Sequence, residues 1–216
     1  MFFTGSRLAL YKWARDMDGT TGDVGTTDQT MAAVVAQTGV AHESLWPYDI
    51  GQFDTEPPAS IKTDAAKAKA TAVNGVAGNT DAIKAAINQP VPVMFTFDVY
   101  AGYEDATSNG GKIAMPSGDS LGGHCNLVVG YNDSTQNRDG SAGAFIVRNS
   151  WGTSWGDKGY GYMPYGYASG GYMQTCYVIT AESEISITPV TPVTPTGTAG
   201  NVHMTANVRE YQPGRA

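Results

Sequence analysis

From Ser6 onward the apolar positions recur at a helical interval. Leu10, Trp13, Ala14 and Met17 fall at i, i+3, i+4 and i+7, with Ser6 placed to cap the start and Gly19 to end the run. After a Gly/Thr loop, Thr26 or Thr27 can cap a second helix through Met31, Val34 and Val35, closed by Gly39. The stretch 41–56, AHESLWPYDIGQFDTE, reads as a loop, Lys62 to Ala70 as a short exposed helix, and Asp81 to Asn88 as another, ended by Pro90. The period then changes to two: Val91, Val93, Phe95, Phe97 and Val99 alternate with Pro92, Met94, Thr96 and Asp98, which describes a strand with one buried face.

Further strands are expected at His124 to Tyr131, Ala144 to Asn149, Tyr160 to Met163 and Thr175 to Thr180, with Asn132 to Gly143 as a long polar hairpin loop. Helices precede strands, so the class is α+β: a helical N-terminal part followed by an antiparallel β-sheet or barrel part. Residues 1–182 form the expected folded domain. Residues 183–200, rich in Pro and Thr, read as an extended linker, and 201–216 as a tail or the start of a further module.

Composition narrows the class. Lys and Arg number 13 against 20 Asp and Glu, with no basic cluster, which argues against nucleic acid as a partner. No apolar run approaches the roughly 18 to 20 residues of a membrane span. The two cysteines, Cys125 and Cys176, make no disulfide framework, and three scattered histidines make no metal site, so no cofactor is expected.

The chemistry concentrates in GGHCNLVVGY, from Gly122, and FIVRNSWG, from Phe145. His124 opens one expected strand and Asn149 closes the next, so a hairpin can set them side by side. An amide oxygen on one ring nitrogen fixes the tautomer and leaves the other nitrogen to act on a nucleophile. Trp151 can lie over that bond and exclude water. Cys125, the strand neighbour of His124, should face the other way, and Cys176 sits in a core-like context.

GGHCNLVVGYND followed by FIVRNSWGTSWGDKGYGYMPY resembles the C-terminal half of papain-like cysteine peptidases, and SRLALYKWARDMDG, AQTGV and HESLWPYD resemble earlier segments of bacterial and viral members. The similarity runs from about Phe3 to Thr180. It implies a papain-like fold and cleavage of peptides or proteins, with His124 the catalytic imidazole, Asn149 its orienting partner and Trp151 its shield. By the same resemblance Trp155 lines the leaving-group side of the cleft, and Gly122 and Gly123 let substrate backbone approach. Members of the family carry the nucleophilic Cys, preceded by a Gln, on a helix upstream of the part that Phe3 begins to match.

The expectation is therefore an N-terminally truncated peptidase domain, inactive alone, within a longer and plausibly secreted protein with further domains. The competing expectation is a non-catalytic papain-like scaffold that binds peptides or a partner protein.

Overall fold

The computed structural model describes residues 4–89, 91–181 and 202–204, which fall into two compact units. The linker assigned to 183–200 lies outside the described residues, as does most of the tail.

The first unit carries three helices. In α1 (Arg7–Asp18) the Ser6 hydroxyl accepts from the amide of Ala9 and donates to the Trp46 carbonyl at 2.7 Å, so one side chain caps the helix and ties down the 41–56 loop. Gly19 ends the helix in the left-handed conformation, as expected. The buried face differs from the stripe read from the sequence: Leu8, Ala9, Trp13, Ala14 and Arg15 are buried, whereas Met17 is 45% exposed.

The reason is Arg15. Its guanidinium donates to the carbonyls of Gly22 and Phe53 and to Asp54, and lies over the rings of Tyr11 and Phe53, so a charged side chain is held in the interior, with Nε left without a partner among the described residues, and turns the face toward itself.

The second helix, α2 (Asp28–Gln37), is capped by Thr27. The helix expected over Lys62 to Ala70 is instead α3 (Ala59–Ala65), because Pro57 and Pro58 start it earlier and only Ile61 and Ala65, one turn apart, have apolar cover. Gly39 passes so close to α3 that a Cβ there would sit 1.9 Å from the Ala65 carbonyl oxygen. Past α3 the chain enters β1 (Ala70–Gly75), which the sequence reading missed.

The second unit holds α4 (Thr80–Ile87), capped by Asn79, then β2 (Val93–Asp98), the short α5 (Ala101–Glu104), β3 (Gly123–Gln136), β4 (Ala142–Arg148), β5 (Tyr160–Pro164), the short α6 (Gly166–Ser169) and β6 (Thr175–Ala181). Strands β6, β2, β3, β4 and β5 lie in that order, each antiparallel to its neighbour, and β7 (Val202–Met204) pairs with Gly130–Asn132 of β3.

The alternation in β2 holds as read. Val93, Phe95 and Phe97 are buried and their neighbours are partly exposed. Each such side chain contributes about 1.5 to 3 kcal/mol on full burial.

The long polar hairpin loop is a correction. The strands continue through it to Gln136 and from Ala142, and the reversal is confined to 137–141. Asn137 closes it, with its amide N–H donating to the Ser141 carbonyl at 2.9 Å and its side chain to Ser141 Oγ and the Gly143 carbonyl.

Candidate active site

Strand register sets the site. In β3, His124 lies opposite Phe97, Asn126 opposite Phe95 and Val128 opposite Val93, so these three share the buried face of the sheet. Across the hairpin, Val128 pairs with Val147 and Leu127 with Arg148. One step further along the same register, Asn149 falls on the face of Asn126 and diagonally beside His124.

The side chains meet there: His124 Nε2 is 2.9 Å from Asn149 Oδ1. The Ser150 main-chain N–H, which can only donate, reaches the same oxygen at 2.7 Å. That atom is therefore the amide oxygen, Nε2 carries the hydrogen, and Nδ1 is the ring's basic atom.

Trp151 lies over the imidazole at 4.8 Å between centroids and 33°, and is itself 42% exposed. Phe97 and Tyr103 pack edgewise against His124, with ring centroids 5.8 and 6.0 Å from its own. Burial in this aromatic box holds the His124 pKa below its ordinary value, and the Asn149 hydrogen bond acts weakly in the opposite direction. At neutral pH the ring is neutral, the form that accepts a proton.

Trp155 is buried beneath Trp151, 6.1 Å away at 84°, and packs on Tyr103 at 4.8 Å. Gly161 makes room for it: a Cβ at that position would stand 2.7 Å from the Trp155 ring. Gly122 adopts φ +123°, a region that favours glycine, and its carbonyl accepts from the Val99 amide at 2.9 Å. A Cβ at Gly122 or Gly123 would meet nothing within 4 Å, so both stand in open space.

Neither cysteine faces the imidazole. Cys125, opposite Thr96, is on the other face of β3 and exposed. Cys176 shares the buried face but pairs with Phe95 two strands from His124, roughly 12 Å away by two strand spacings and a two-residue offset, with Phe95 and Phe97 intervening. Burial pushes its thiol up to about 11.

Among the described residues no group of three or more His, Cys, Asp or Glu side chains could hold a metal ion, and no helix is long and apolar enough to cross a membrane. Three members of the site were not found from sequence as such: Phe97, read only as a buried residue of β2, Tyr103 and Asn126. Asn126 carried a usable signal, since it lies two residues from His124 on one strand face. Tyr103 carried none, because α5 alone brings it in.

Comparison with known proteins gives the family and the fold. The profile of the papain family cysteine proteases matches residues 13–184. The chain is 31% identical over 176 residues to an uncharacterized peptidase C1-like protein of Acanthamoeba polyphaga mimivirus, covering 76% of this chain and 54% of that protein. It is 32% identical over 167 residues to chymopapain of Carica papaya, covering 73% and 41%. It thus spans about half the length of the curated relatives it matches.

Among solved structures it is similar to xylellain, a cysteine protease from Xylella fastidiosa, with a TM-score of 0.69, 28% identity, and coverage of 82% of this chain and 70% of that one. The bromelain protease of Ananas comosus shares the fold, with a TM-score of 0.60 at 23% identity, covering 84% and 80%.

Proposed function

The chain belongs to the papain family of cysteine proteases, and on that premise we propose that His124 and Asn149 are the base and the orienting amide of a peptide-cleaving site whose thiol lies outside these 216 residues. The observation that carries the reading is the hydrogen bond from His124 Nε2 to Asn149 Oδ1 under the Trp151 indole.

In that site Nδ1 takes the proton of the attacking thiol and the thiolate adds to the scissile carbonyl. The tetrahedral adduct collapses to a thioester as Nδ1 returns the proton to the departing amine. Water, deprotonated by Nδ1, then releases the acid and restores the thiol. Asn149 keeps Nε2–H occupied through these steps so that only Nδ1 exchanges protons, and Trp151 keeps water from competing for that bond. Gly122 and Gly123 leave the approach open for an extended peptide or protein substrate; Trp155, at 6% exposure, is too buried to line the leaving-group side as the resemblance implied and instead backs the Trp151 indole.

Two features support an external thiol: Cys125 faces away from the imidazole, and Cys176 is held as a buried, protonated thiol.

The test is peptidase assay of the 216-residue chain beside the longest natural protein that contains it. Turnover is expected only from the longer protein, with His124→Ala reducing it by about 10³-fold or more and Asn149→Ala by about 10-fold or more. Turnover by the 216-residue chain that disappears in Cys125→Ala or Cys176→Ala would overturn the external thiol. Peptide binding without turnover by the longer protein would favour the non-catalytic scaffold.

A further inference from the structure

We propose that the buried pair Tyr103–Asn126 is a positioning device that holds Trp151 over the His124–Asn149 hydrogen bond. The inference rests on the reading of His124 as the imidazole of the site. It concerns how that imidazole is kept in place.

Asn126 is buried two residues beyond His124 on the same face of β3, and its Nδ2 donates to the Tyr103 hydroxyl. Tyr103, also buried, comes from α5. Its ring meets every aromatic side chain around the imidazole. It lies 6.0 Å from His124 at 70°, 5.4 Å from Trp151 at 86°, 4.8 Å from Trp155 and 4.9 Å from Phe97. One phenol ring thus supports both the imidazole and its cover, and the amide that anchors it grows from the strand that carries the imidazole.

Stability alone does not account for this pair. Phe95 stands opposite Asn126, and Val128 follows on the same face, both with no exposed surface. A phenylalanine and a leucine would fill a similar volume in that layer without a desolvation cost. The polar pair gains about 1 kcal/mol net from its hydrogen bond. Against this, Asn126 Oδ1 stays buried with no hydrogen-bond partner among the described residues.

What the polar pair supplies is direction. The hydroxyl lies on the long axis of the ring, so a hydrogen bond to it fixes where the tip of the ring stands and limits how far the ring can slide. Trp151, 42% exposed, depends on such support to remain in place. Burial raises the Tyr103 pKa above the ordinary phenol range, so the hydroxyl is neutral around neutral pH.

The test uses the 216-residue chain with Tyr103→Phe, Asn126→Leu and the double variant. NMR reads the Nε2–H proton and the pH titration of the His124 Cε1–H signal, and thermal melting is measured in parallel. The single variants are expected to speed exchange of the Nε2–H proton by about tenfold or more. They should also move the His124 midpoint upward, toward the ordinary imidazole value, as water reaches the ring. The double variant, apolar and of similar volume, is expected to melt close to the parent while keeping both changes, and it carries the test if a single variant does not fold.

Exchange and titration that superimpose on the parent, whatever the melting temperature, would show that the pair only packs. None of these readouts needs turnover. Failure of the peptidase reading, seen as a longer protein indifferent to His124→Ala, is therefore a separate result.

Discussion

Replacing Asn149 by aspartate keeps an acceptor oxygen 2.9 Å from His124 Nε2 and adds a charge. In the parent, burial is the larger influence on His124 and holds its pKa below the ordinary value. The unfolded chain, titrating near 6.5, then binds the proton more readily than the folded one. Stability from this group therefore rises with pH up to about 6.5 and is flat above it.

A carboxylate reverses the sign. With charge centres about 4 Å apart at an effective dielectric of about 20, the attraction is about 4 kcal/mol. Desolvation of the new carboxylate and solvent at the exposed Trp151 return part of it. The remainder is a rise of about one to two pH units in the midpoint, or about 1.4 to 2.7 kcal/mol. The folded midpoint then lies above 6.5, so the group's stability is fully present below that value and is lost as pH rises through the new midpoint.

NMR titration of His124 gives the midpoint, and urea unfolding across pH 5 to 9 gives the slope. The other two of the three histidines are unchanged between the proteins, so the difference curve isolates this one. A midpoint in the aspartate variant that stays below 6.5, with a slope like the parent's, would refute a buried imidazole held by Asn149.

Three further outcomes are expected. Arg15→Ala should destabilise the chain by about 3 kcal/mol, because it strips donors from the Gly22 and Phe53 carbonyls and empties a buried site. Asp54→Asn should cost less than about 1 kcal/mol, since Asp54 is largely exposed, and denaturant melts that rank the two the other way would refute the clamp. Gly161→Ala should cost about 1 to 3 kcal/mol, its Cβ meeting Trp155 at 2.7 Å and Ile113 at 2.8 Å, with a change in tryptophan fluorescence as the check. Iodoacetamide should alkylate Cys125 in the native chain and Cys176 only after unfolding, which peptide mass mapping at pH 8 decides.

The parts that were legible in the sequence are those where one local rule decides. Ser6 and Gly19 bound α1 because capping depends on neighbours in the chain. Phe95 and Phe97 revealed β2 because its two faces differ so much in environment. His124 and Asn149 could be paired in advance because strand alternation and one hairpin suffice to bring them together. Arg15 misled because its burial rests on carbonyls seven and 38 residues away. The hairpin arms through Gln136 and from Ala142 were hidden by polar composition, since main-chain pairing holds them there rather than apolar cover. Tyr103 was invisible because its partner Asn126 stands 23 residues away and no period links α5 to β3.

The groups that fix the imidazole, namely Phe97, Tyr103, Asn149 and Trp151, all belong to the second unit. The tautomer and the lowered affinity for a proton are thus built in before any thiol is present. A thiol that approaches Nδ1 meets a neutral base, and charge separation has to be driven by the pair itself. Each ion stabilises the other, so the thiolate raises the imidazole just as the imidazolium lowers the thiol, and the two titrate as a couple. The aromatic box strengthens that attraction by lowering the local dielectric, while it penalises either charge alone. In this arrangement a lone His124 resists protonation. On the proposed reading, an ion pair with a thiol at Nδ1 forms only where its attraction exceeds the desolvation of both ions, so the thiolate needs hydrogen-bond donors beyond the aromatic box.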